Sequence, residues 1–153
     1  MTPVYAAVTW PRLKTWNPCD DGAEAVFEVF LDQAVKAEEI PLLHCLQSNS
    51  VTDVYWALRG LTEPLPHSTI EYLMREVRDA IDPYAHKFVD REQQDYWNAL
   101  TAVRDPGFRA GPRWFSTLFN CIWIACWPQA PEGLNDRLVD ILRAAFKETP
   151  SPC

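Results

Sequence analysis

The sequence predicts an all-α protein: a single-domain bundle of about six or seven helices, preceded by an irregular arm rich in proline and tryptophan. Three observations favour this fold. The chain has 153 residues, enough for one domain with a substantial core. Its 5 glycines are few, whereas tight β-hairpin turns need residues with positive φ. Its 13 prolines fall mainly between apolar segments, where they interrupt helices.

The predicted domain has three parts. Residues 1–19 form the irregular arm, packed on the body, because prolines prevent a helix there. Trp10 and Trp16 are expected to anchor it. Residues 20–148 form the helical domain, and residues 149–153 a tail that frays. No segment shows the clear alternation of a strand, and no repeat of fixed period is present.

The first predicted helix, residues 20–39, is rich in Ala, Val, Phe and Glu and begins with acidic residues. Glu24, Glu28 and Asp32 stand at successive fourth positions, so they share one face, opposite the apolar face. This acidic face is either solvated or a docking strip for a basic partner. Pro41 then ends or restarts the helix before the short apolar segment "LLHCLQ".

Two further helix starts have capping patterns. Ser50 followed by Asp53 predicts an N-cap, and Ser68 followed by Glu71 predicts a full capping box. The helix after Ser68 is strongly amphipathic. Its apolar residues at helical spacing are Ile70, Leu73, Met74, Val77 and Ile81.

The segment 84–105 is predicted to be one helix, or two that break near Asp90, followed by the loop "PGFRAGP". Near the end of the chain "LNDRLVDILRAAFK" predicts a last amphipathic helix. Its buried face consists of Leu134, Leu138, Ile141, Leu142 and Ala145.

The most apolar segment, residues 113–127, predicts a central helix surrounded by others. Trp114 to Trp127 spans 14 residues, fewer than the roughly 20 that cross a bilayer. Cys121 and Cys126 point to separate sides of such a helix, so they fit neither a disulfide nor a shared metal.

A polar stripe on the same helix, Ser116 and Asn120, continues into Trp123 and Trp127. Two exposed tryptophans are typical of a contact surface, because tryptophan is enriched at interaction hot spots. The alternative is that the N-terminal arm folds over them.

The formal net charge of −7 opposes binding to nucleic acid or to an anionic membrane. It suits either solvation or a basic protein partner. No secretory signal is visible at the N-terminus, and the 5 cysteines have no regular spacing. The sequence therefore predicts a cytoplasmic protein with reduced thiols.

The sequence contains no recognisable catalytic motif. The sequence has no glycine loop for phosphate, no nucleophile elbow, and no Glu-x-x-His pattern to join the acidic face in a metal site. His44 adjoins Cys45, but sequence neighbours rarely form a catalytic dyad. We therefore predict no catalytic residues, no metal and no cofactor.

A small, acidic, helical, aromatic-rich chain resembles many bacterial immunity proteins and small adaptors, a resemblance of class that assigns no residue roles. The leading hypothesis is a non-catalytic, toxin-neutralising immunity protein that binds a basic partner through Glu24, Glu28, Asp32, Trp123 and Trp127. The alternatives are an adaptor or chaperone for a secreted effector and a small enzyme of an unrecognised kind. The sequence does not set the oligomeric state.

Overall fold

A computed structural model describes six stretches of the chain, which are residues 2–9, 11–12, 39–47, 50–87, 114–126 and 129–150. Most of these residues are helical, in agreement with the predicted all-α class. Outside them lie residues 20–38 of the predicted first helix, most of the segment 84–105, and the anchors Trp10 and Trp16.

The described residues form α1 (Val51–Ala57), α2 (His67–Ile81), α3 (Trp114–Cys126) and α4 (Leu134–Ala145). Three short 3₁₀-helices accompany them, at Leu42–Gln47, Leu58–Gly60 and Asp82–Lys87. The structure thus supports a mostly helical protein but not the finer estimate of six or seven helices, which relied partly on segments outside the described ranges.

Four strands of two residues each were not predicted: β1 (Val4–Tyr5), β2 (Ala7–Val8), β3 (Ile40–Pro41) and β4 (Phe146–Lys147). β1 pairs in parallel with β4, and β2 pairs antiparallel with β3. Strands of two residues are too short to show alternation, which is why the sequence gives no sign of them.

The strands change the interpretation of two segments. Residues 4–8, expected to be irregular, form backbone hydrogen bonds with the body, and Ala7 and Val8 are buried. The amide of Thr62 also donates to the carbonyl of Ala7 at 2.9 Å. The last helix, expected to include Phe146 and Lys147, ends at Ala145, where the chain turns extended and pairs with β1.

The start of α2 also differs from the prediction. Ser50 caps α1 as predicted, its hydroxyl accepting from the amide of Asp53 at 3.3 Å. The capping box at Ser68 is wrong, because α2 begins at His67 with Pro66 as its N-cap and no side-chain cap. Ser68 therefore lies inside the first turn, and Glu71 instead pairs with His67, Oε1 to Nε2, at 2.8 Å.

The core lies between α2 and α4, which pack against each other, and extends to α1 and α3. All the apolar residues predicted for the buried faces of α2 and α4 are buried. The hydroxyl of Tyr55 on α1 donates to the carbonyl of Leu138 on α4 at 2.9 Å inside this core. At the surface Arg137 pairs with Glu76 at 3.0 Å, linking α4 to α2.

α3 is buried on one face and exposed on the other. Leu118, Cys121, Ile122 and Ala125 face the core, where α3 packs against α1 and α2. Asn120 and Trp123 are exposed. Within the described residues, no helix combines the length and apolarity needed to cross a bilayer.

Candidate functional site

Arg59 lies among three aromatic rings beside α3. It belongs to the 3₁₀-helix Leu58–Gly60, which follows α1 directly. Its guanidinium carbon lies 5.0 Å from the ring centre of Phe119, 5.4 Å from that of Trp56 and 5.9 Å from that of Phe115. These distances are typical of cation–π contacts, in which ring faces attract a cation.

The rings take the place of part of the water around Arg59. Its Nε atom is buried, and burial lowers the pKa of the Arg59 guanidinium from its ordinary value. An arginine nevertheless keeps its charge in a folded protein. The structure therefore holds a partly desolvated cation at a defined place near the surface.

Three aromatic residues of α3 follow one another at intervals of four residues: Phe115, Phe119 and Trp123, the aromatic row. Residues at this spacing lie on one face of a helix. Phe119 stacks on Trp123 with ring centres 6.2 Å apart and planes 28° from parallel. Among the large hydrophobic residues that the structure describes, Trp123 alone is exposed, with 47% of its surface accessible.

At the opposite end of the aromatic row lies a cleft of about 520 Å³, the arginine cleft. Arg12, Arg59 and His67 line it with basic groups, and Glu63 contributes an acidic one. Trp114 and Phe115 form an aromatic part of its wall and meet edge to face, with ring centres 5.8 Å apart. Most of the remaining lining is apolar.

The predicted site residues are only partly within the described structure. Glu24, Glu28, Asp32 and Trp127 lie outside it. Trp123 lies on α3, with 47% of its surface exposed. That its exposed face serves a partner stays a prediction.

The three described cysteines, Cys45, Cys121 and Cys126, are free thiols. Desolvation by burial raises the pKa of Cys45 and that of Cys121 to about 12. Because the thiolate is the reactive form, these two thiols are poor nucleophiles. His44 directly precedes Cys45 in the same 3₁₀-helix, and no group of three potential metal ligands occurs within the described ranges.

Sequence reasoning missed Arg59 and the arginine cleft. Two local patterns pointed toward them: Trp56 stands three residues before Arg59, and the aromatic row has helical spacing. Nothing local, however, brings residue 59 next to residues 115 and 119. Comparison of the chain with protein-family models, with curated proteins and with solved structures gives no match.

Proposed function

We propose that this chain is a non-catalytic protein-binding protein whose contact surface includes Trp123. The exposure of this tryptophan on a helix carries the proposal. A large ring held out from a packed helix suits a partner, because tryptophan and arginine dominate the binding energy of many interfaces. Phe119 supports Trp123 from one side, and Arg59 contacts Phe119.

The packing of α3 against the core supports binding through a preformed surface. The buried residues Leu118, Ile122 and Ala125 fix α3 against the core. Trp123 therefore projects from a rigid element, and less conformational entropy is lost when a partner covers it. The raised pKa values of Cys45 and Cys121 likewise make these thiols poor candidates for covalent chemistry.

The partner that we propose is a basic toxin, which would make the protein a cytoplasmic bacterial immunity protein. The net charge of −7 supports a basic partner, since opposite charges speed association and set specificity. In this proposal Glu24, Glu28 and Asp32 steer the toxin, while Trp123, with Trp127, supplies the desolvated anchor. An adaptor for a secreted effector is the alternative, and a toxin gene or an effector gene next to this one would discriminate between them.

The affinity owed to Trp123 follows from its exposure. A tryptophan side chain has about 250 Å² of surface, so the 47% that is exposed leaves about 115 Å² for a partner to cover. At about 25 cal/mol per Å² this is worth up to about 3 kcal/mol, or about 100-fold in Kd.

The test begins with capture of partners from the native host by the parent protein, followed by surface binding kinetics. Trp123→Ala should weaken binding by up to about 100-fold, mainly through faster dissociation. Reversal of charge at Glu24 and Glu28 should instead slow association and weaken its salt dependence. Tyr72→Ala is the matched control, because Tyr72 is a partly buried aromatic residue on α2 outside the proposed surface. Equal binding by the parent and Trp123→Ala would overturn the proposed surface, and turnover of a small molecule would overturn the non-catalytic class.

A further inference from the structure

We propose that the arginine cleft binds a small molecule with a flat apolar body and one carboxylate, which the guanidinium groups of Arg59 and Arg12 receive. This inference goes beyond the proposed protein binding, and Trp123, which carries that proposal, does not line the cleft. A volume of about 520 Å³ lies within the usual range of small-molecule sites, roughly 300 to 1,000 Å³.

The charge of the cleft favours an anion. Two guanidinium groups, of Arg12 and Arg59, line it against one carboxylate, of Glu63. The third basic residue, His67, pairs with Glu71 at 2.8 Å. Both arginines also make contacts within the protein, but an arginine has five N–H donors and can receive a carboxylate in addition to such contacts. Among the described residues that line the cleft, basic groups thus outnumber acidic ones, in a chain whose net charge is −7. Arginine also presents planar N–H donors that match the two oxygens of a carboxylate.

The aromatic rings around Arg59 preorganise its guanidinium group for such a ligand. Contacts with the rings of Trp56, Phe115 and Phe119 restrict the guanidinium before any ligand arrives, so less side-chain entropy is lost on binding. Its partial burial, which also lowers its pKa, strengthens the attraction to an anion, since charges interact more strongly where water is displaced.

The remaining lining favours a ligand with an apolar body over a bare anion. Trp114 and Phe115 lie beside the arginines, and Leu58, Leu61 and Ile70 contribute further apolar surface. A flat ring system can cover these side chains while its carboxylate reaches Arg59. A bare anion would leave the apolar wall in contact with water and gain nothing from it.

The probe for the test is 2-naphthoate, and its uncharged counterpart is 2-naphthamide. Isothermal titration calorimetry should show that the parent protein binds the carboxylate at least about ten-fold more tightly than the amide, since hydrogen bonds to charged groups contribute more than neutral ones. Arg12→Met and Arg59→Met should each weaken naphthoate binding about ten-fold or more. Arg12 is exposed, so its variant keeps the test valid even if Arg59→Met does not fold.

The matched control is Arg75→Met. Arg75 makes a comparable cation–π contact, 5.6 Å from the ring centre of Tyr72, but it does not line the cleft. Its replacement by methionine removes the same charge as the other two variants. It should leave naphthoate binding unchanged. Trp123→Ala should also bind naphthoate like the parent, which separates this inference from the proposed protein contact.

Three results would overturn the inference. The first is no binding of naphthoate at millimolar concentration, or equal binding of the carboxylate and the amide. The second is equal weakening by Arg12→Met and Arg75→Met, which would reflect net charge alone. The third is binding of inorganic phosphate as tight as that of naphthoate, which would show an anion site with no part for the apolar wall.

Discussion

Two buried thiols should make the protein sensitive to alkali. Cys45 and Cys121 are 2% and 4% exposed, and burial raises the pKa of each to about 12, from an ordinary value of 9.0. In the unfolded chain both thiols ionise near pH 9. Between about pH 9 and pH 12 the folded state therefore binds more protons than the unfolded state, and the free energy of unfolding falls as the pH rises. Below pH 9 both states are protonated, and the thiols contribute no pH dependence.

The size of this effect follows from the pKa values. One pH unit corresponds to about 1 kcal/mol for a group that titrates in only one of the two states. Between pH 8 and pH 10 each buried thiol should therefore lower the free energy of unfolding by about 1 kcal/mol, and the pair by about 2 to 3 kcal/mol. That is a large part of the roughly 5 to 15 kcal/mol that stabilises a typical domain.

The assay is urea unfolding at pH 8, 9 and 10 in the presence of a reducing agent. Cys45→Ala and Cys121→Ala each leave a small cavity, which lowers stability by the same amount at every pH. Each variant should nevertheless lose less stability than the parent between pH 8 and pH 10, by about 1 kcal/mol. Cys126→Ala is the comparison. Burial raises the pKa of the partly buried Cys126, but a hydrogen bond with Thr52 opposes that rise, so this variant should recover less of the stability lost at alkaline pH. Parallel pH profiles for the parent and both buried-site variants would show that these thiols are not the source of the alkaline loss.

Four other substitutions test the packing. Ile122→Asp should abolish soluble expression or unfold the protein, because it places an unpaired charge at a position with 0% exposure; a soluble variant with the parent's circular dichroism would contradict the placement of α3. Tyr55→Phe should lower the free energy of unfolding by about 1 kcal/mol, because it removes the buried hydrogen bond to Leu138. Tyr84→Phe, which removes an exposed hydroxyl-to-carbonyl hydrogen bond of 3.3 Å, should change the free energy of unfolding by less than about 0.5 kcal/mol. Equal losses for the two tyrosine variants in urea unfolding would show that burial does not strengthen the Tyr55 bond. Gly133→Ala should lower the free energy of unfolding by about 1 kcal/mol, measured by thermal unfolding. Gly133 has φ of +83°, a left-handed conformation that strains a residue with a Cβ, and the added Cβ would meet no neighbour that adds a clash.

Helical periodicity explains which parts of the fold the sequence predicts. The apolar positions of α2 and α4 recur at helical spacing over three turns or more, and burial follows that spacing residue by residue. The cap at Ser50 is also local, since the bond to Asp53 spans three residues. At α2, by contrast, the carbonyl of Pro66 accepts from the amides of Thr69 and Ile70, so the helix starts before the capping box at Ser68.

Contacts between distant segments explain what the sequence does not predict. β1 pairs with β4 across nearly the whole chain, and neither strand is long enough to show a pattern. The position of Arg59 beside Phe115 and Phe119 depends on how α1 packs against α3. Such packing follows from the three-dimensional arrangement of several helices, which a window of neighbouring residues does not contain.

Net charge and local charge govern different interactions of this protein. The total of −7 governs solubility and the long-range steering of another macromolecule. A ligand in the arginine cleft instead meets Arg12 and Arg59 at short range, where the described lining has more basic than acidic residues. Arg59 touches both Phe115, in the wall of the cleft, and Phe119, which stacks on Trp123. Substitution of Arg59 should therefore disturb both proposed sites, whereas Arg12→Met and Trp123→Ala should each affect only one, and these two variants measure the sites separately.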